Sequence, residues 1–213
     1  MSRNYRLETP HLKILPTDEG STKMKNKTPF LNDILEAGAR IRRLIKAKAK
    51  DGSNGRRDVT AVLQCVLALE MASATRYKRT AHVEGSRSGE GAAEIWLSFA
   101  EETTEHADLI ASRIAELGKD PNLTPAWFPE NGEAVVLSHL TGAELSTENL
   151  KATQAIHRTY QELIQQMGDD DPLTQRMLID IGAAKLNQTR RLADCLPSRA
   201  TMNPGAADTP ANL

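Results

Sequence analysis

The sequence predicts an all-α chain, a bundle of four long helices with a long crossover between the second and third, preceded by an extra N-terminal amphipathic helix. Three observations carry this. Aromatic residues make up only 4% of the 213 residues while 26% are charged, and alanine and leucine are frequent, a mix that suits helices better than strands. Apolar residues recur at helical spacing in successive stretches. The breaks between the bundle helices are short except in the middle, where Pro121, Pro125, Trp127, Phe128, Pro129 and Gly132 mark a longer link. Parallel neighbours in a bundle cannot be joined by a tight turn, so a topology with one long crossover accounts for it.

Taken in order, residues 1–29, with Pro10, Pro16, Gly20 and Pro29, have no periodicity and read as a flexible arm. Residues 30–52 form the basic amphipathic helix: Leu31, Ile34, Leu35, Ile41, Leu44 and Ile45 share helical spacing, and Asp51-Gly52-Ser53-Asn54-Gly55 ends it. The bundle occupies 58–196. Its first helix runs from Asp58, a suitable N-cap, to His82, with Val62, Leu63, Val66, Leu67, Leu69 and Ala74 on the apolar side. Gly85-Ser86-Arg87-Ser88-Gly89 separates it from the second, Ala92 to Leu117, which Gly118 stops. The third begins at Gly142 or Ser146 and ends at Met167, before Gly168-Asp169-Asp170-Asp171-Pro172. The fourth spans Leu173 to Leu196, where Pro197 closes it, and residues 197–213 read as a flexible tail.

Lys and Arg total 27 against 28 Asp and Glu, so net charge points to no partner, but its distribution is uneven. Between Arg40 and Arg57 lie Arg42, Arg43, Lys46, Lys48, Lys50 and Arg56, with Asp51 the sole acid. A solvated helix face explains the cluster; electrostatic contact with nucleic acid is the alternative, and no interleaved aromatic residue supports base stacking. The N-terminus lacks the apolar core of a signal peptide, and no run of about 18 apolar residues is present to cross a bilayer. Cys65 and Cys195 fall on apolar helix faces and read as small core residues rather than a disulfide or metal pair. The expectation is a cytoplasmic protein with no membrane partner.

Two residues stand out as candidates for chemistry. Glu70 sits in the apolar strip between Leu67 and Ala74, with Tyr77 two turns on, and an acid there is costly to bury without a partner. His106 shares a face with Phe99, Thr103, Ile110 and Leu117, while Glu101 and Glu105 fall on the solvated side. Leu67, Glu70 and Tyr77, then Glu101-Glu102 with His106-Ala107-Asp108, then Arg113-Ile114, Leu117-Gly118 and Pro121, together resemble a bacterioferritin, a ferritin-like di-iron four-helix bundle. The likeness continues through Tyr160-Gln161-Glu162-Leu163-Ile164 and Met177-Leu178-Ile179-Asp180-Ile181.

The resemblance implies iron binding, iron homeostasis and ferroxidase activity. A di-iron site needs one Glu from each of two helices and a Glu-x-x-His pair from each of the others. Carried over residue by residue, Glu70 and His106 are retained. The remaining ligand positions hold Thr103, Thr153, Lys185 and Gln188, so one lost carboxylate has become a cation. A protonated Lys does not coordinate and repels metal; it would instead neutralise Glu70, with Thr103, Thr153 and Gln188 as hydrogen-bonding neighbours. The alternative is a single mononuclear site built from Glu70, Glu102, His106 and His157. The haem-ligating Met of bacterioferritins is Thr104 here, so no haem is expected. The resemblance implies a homo-oligomer, a dimer at least; Pro197 and the tail leave no fifth helix after the bundle, which argues against a closed hollow cage. Three functions stay open: an iron-handling protein with a degenerate di-iron centre, a non-catalytic assembly or adaptor module using 30–52 or the tails, and a DNA-protecting mini-ferritin-like protein using the basic segment.

Overall fold

The computed structural model describes residues 29–48, 59–124, 139–167 and 171–194. Within them lie five helices and no strand: α1 (Pro29–Lys48), α2 (Val59–Ser88), α3 (Glu90–Glu116), α4 (Gly142–Met167) and α5 (Pro172–Asp194). The arm expected over 1–29 lies outside the described residues except for Pro29, which opens α1, and so do the Asp51–Gly55 stop, Cys195 and the tail over 197–213.

The expected break at Gly85–Gly89 is narrower than the composition suggested. α2 continues through Gly85 to Ser88, and only Gly89, at φ 90°, leaves the helical region. Ser86 stays helical by donating its hydroxyl to the His82 carbonyl at 2.8 Å. α3 ends as predicted: Gly118 has φ 77°, its N–H reaches the Ala115 carbonyl at 2.9 Å, and the Lys119 N–H reaches that of Ile114 at 3.2 Å. This is a Schellman closure, which needs a residue free to adopt positive φ. The start of α4 is fixed by a capping box: the Thr141 hydroxyl accepts the Glu144 N–H at 3.3 Å, and Glu144 accepts the Thr141 N–H at 2.8 Å. Asp171 caps α5 by accepting the Thr174 N–H at 3.1 Å, with Pro172 in the first helical position.

Residue pairings give the topology. From α2 to α3, Glu70 meets His106 and Tyr77 meets Phe99, so the two are antiparallel. From α2 to α4, Glu70 pairs with Tyr160, Tyr77 with Thr153 and Arg76 with Asn149, again antiparallel. From α3 to α5, Ser98 meets Arg191, Thr103 meets Lys185 and Arg113 meets Thr174. α3 and α4 therefore run parallel, which is why the chain needs its long link between them. That link begins on α2, where Gln64 donates to the Asp120 carbonyl at 2.7 Å and accepts the Asn122 N–H at 2.8 Å, and it rejoins the bundle where Arg87 hydrogen-bonds the Leu140 carbonyl.

α1 lies along the seam between α2 and α4, antiparallel to α2 and parallel to α4. Phe30 sits 4.3 Å under the Arg76 guanidinium, and Arg42 pairs with Glu162 at 3.0 Å. Phe30, Leu31, Ile34, Ile41 and Ile45 are buried and continuous with Leu63, Ile156 and Leu163 of the main core. Arg40, Arg43 and Lys46 are exposed. Cys65 is only partly buried, packed against the core edge rather than within it, because Ala37 and Arg40 of α1 leave a cleft beside it.

By length and composition α2 passes as a membrane-crossing helix, which the sequence reading did not anticipate, yet 67% of its apolar stretch is buried in the bundle. Its hydropathy is that of a core helix contacting α1, α3 and α4.

Candidate metal centre

The bundle interior is not uniformly apolar. One cluster, with Leu67, Ile110, Ile114, Leu178 and Ile181, fills the half near the start of α2. A second, with Tyr77, Trp96, Phe99 and Leu192, fills the other. Between them lies a polar layer of Glu70, Thr103, His106, Thr153, Lys185 and Gln188, of which all but His106 are 0% exposed and His106 is 7% exposed.

Glu70 is the hub. Its Oε2 lies 2.7 Å from Lys185 Nζ and 3.3 Å from His106 Nδ1, and its Oε1 accepts the Tyr160 hydroxyl at 3.0 Å. The Lys185 ammonium also donates to Thr103 Oγ1 at 3.0 Å and to Gln188 Oε1 at 3.3 Å, so three acceptors from three helices surround it. Burial opposes ionisation of Glu70, but the Lys185 ammonium and the His106 hydrogen bond outweigh it and hold the carboxyl below the ordinary glutamate range. Burial and the facing Glu70 carboxylate push the Tyr160 hydroxyl well up, so it remains a donor.

The other sequence-predicted residues are placed as follows. Thr153 does not reach Lys185 among its hydrogen bonds; its hydroxyl pairs with Tyr77 OH at 2.6 Å and donates to the Asn149 carbonyl at 2.8 Å. Tyr77 thus bridges α2 to α4 beside the site, its hydroxyl raised chiefly by burial. Glu102 faces the α3/α5 edge, where its Oε2 accepts Gln188 Nε2 at 2.9 Å and lies 3.8 Å from Arg191. His157 donates through Nδ1 to the Gly182 carbonyl at 3.1 Å. Of the mononuclear set, Glu70 and His106 meet, whereas Glu102 and His157 hydrogen-bond to groups on α5. Thr104 donates its hydroxyl to the Ala100 carbonyl at 2.7 Å.

Two participants were not singled out by sequence reasoning. Tyr160 enters the sequence argument only through the family likeness; its spacing of one heptad from Thr153, on the same α4 face, is the signal that marks it. Arg76, 1% exposed, donates Nε to Asn149 Oδ1 at 2.8 Å while its guanidinium lies over the Phe30 ring. Nothing in the local pattern of α2 marks it, because both partners come from other helices.

A family model for the ferritin-like domain matches residues 60–196, covering α2 through α5. The chain belongs to the ferritin-like domain family. No curated protein matches it in sequence. The iron implied by this family does not fit the donor set. The carboxylate oxygen that would face a metal is held by an ammonium, and among the described residues no three His, Cys, Asp or Glu side chains converge on one point. Glu70 and His106 supply too little negative charge and too few donors for two iron ions beside a fixed cation.

Proposed function

We propose that this chain is a bacterioferritin-type member of its family in which an internal ion pair has taken the place of the di-iron centre, so that the bundle works as a folded module without oxidising iron at its core. One observation carries the reading: Lys185 Nζ lies 2.7 Å from Glu70 Oε2 with both side chains fully buried. A ferroxidase core must collect carboxylates to balance its metals. Here Thr103 and Gln188 are engaged with the amine instead.

The test is metal content of the purified full chain together with a ferrous oxidation assay. The expected result is sub-stoichiometric iron and oxidation no faster than buffer. Two irons per chain with rapid turnover overturns the proposal. A homodimer remains our proposed assembly, checked by light scattering, with a mass far above a dimer supporting a cage instead. Retention on duplex DNA that vanishes as salt rises would support the DNA-protecting reading through Arg40, Arg43 and Lys46; the α1 apolar face is already buried on the bundle, which favours the solvated-face explanation.

A further inference from the structure

We infer that Lys185 and Glu70 are poised to form an intramolecular amide, a covalent cross-link between α5 and α2. The inference rests on the same buried pair as the proposed function.

The contact has the parts that acyl transfer needs. Lys185 Nζ, a nucleophile once neutral, is held 2.7 Å from the carboxylate, and both groups are 0% exposed, so no bulk water competes for the carbonyl carbon. Fixing two reactants at such a distance raises their effective concentration far above any solution value. Thr103 and Gln188 restrain the nitrogen. The Tyr160 hydroxyl, 3.0 Å from Oε1, stands where oxyanion charge would develop. His106 Nδ1, 3.3 Å from Oε2, stands by the oxygen that would leave. A buried pair of full charges is costly, and a neutral amide with one N–H and one C=O relieves that cost.

The step balances without an added reagent. An ammonium proton passes from Nζ to Oε2, giving amine and carboxylic acid. The nitrogen lone pair then attacks Glu70 Cδ, and the π electrons move to Oε1 under the Tyr160 hydroxyl. A second proton moves from nitrogen to the Oε2 hydroxyl, the Cδ–Oε2 bond breaks, water departs past His106, and the carbonyl re-forms. Nitrogen keeps one hydrogen, and one water is lost for each bond made.

The experiment is intact mass spectrometry of the full chain under denaturing conditions, followed by tryptic mapping. The linked form is lighter than the sequence mass by one water. Trypsin then fails to cut after Lys185, and the peptide 177–190 appears joined to the peptide 58–76 that carries Glu70. Lys185→Arg, which keeps the charge but offers no primary amine, should return the full mass whether or not it folds. In Glu70→Gln the same linked pair should form with loss of ammonia instead of water. A wild-type chain at its full sequence mass after prolonged incubation in the folded state overturns the inference, as does a water loss mapped to any other pair of residues. Neither result bears on iron content, so this failure is distinguishable from failure of the proposed function.

Discussion

Lys185 and Glu70 show how one charged residue changes what its neighbours can do. Each is tolerated in the core only because the other is there, with Thr103, Gln188 and Tyr160 occupying their remaining hydrogen-bonding capacity. Lys185→Ala should therefore destabilise the fold by about 3–5 kcal/mol, because it strands a buried carboxylate. Joint replacement by Lys185→Met and Glu70→Leu should recover most of that loss, and a denaturant-unfolding double-mutant cycle measures the difference. The ionic form of the pair also has a pH signature. The folded-state pKa of Glu70 lies below its unfolded value, so its contribution is complete above about pH 4.3 and is lost as pH falls through the folded value. Chemical denaturation across the acid range should show this component in wild type and not in Lys185→Met/Glu70→Leu; chains carrying the amide should lack it as well.

At the scale of the helix, close approach and end geometry set the constraints. A Cβ added at Gly38 would lie 2.9 Å from Thr159 Oγ1, and that hydroxyl is tied to the Ala155 carbonyl on a stiff β-branched side chain. Gly38→Ala should lift α1 from the α2/α4 seam and cost about 1–3 kcal/mol, despite alanine's better helix propensity. Pairing it with Thr159→Ala should remove the clash, and thermal unfolding of both variants tests the order. Gly118→Ala forces a side chain into positive φ and should cost about 1 kcal/mol. The five described helices were legible from apolar spacing, but their ends were less so. The run Gly85-Ser86-Arg87-Ser88-Gly89 predicts a break, yet Gly85 remains helical, with Ala93 of α3 3.3 Å from where its Cβ would stand. The capping box Thr141-Gly142-Ala143-Glu144 was present in the sequence and could have resolved the start of α4.

For the whole molecule, two apolar clusters flank one polar layer in which Lys185 and Glu70 pair. If the layer retains the outline of a di-iron site, then Lys185→Glu, Gln188→His and Thr103→Glu together should restore iron uptake, read as bound metal per chain after ferrous loading. No uptake in a folded triple variant would show that the site was lost beyond these positions. The sequence by itself determined the five described helices and the basic amphipathic character of the first, because apolar period is a property of short stretches; that Thr103, Thr153, Lys185 and Gln188 stand at ligand positions is what the family resemblance implies. Only the tertiary structure decided which polar side chains share the layer. Helical spacing gives the face on which a side chain stands, whereas its partner depends on register across helices distant in sequence. That register aimed Lys185 and Tyr160 at the two oxygens of Glu70, and turned Glu102 and His157 away to α5.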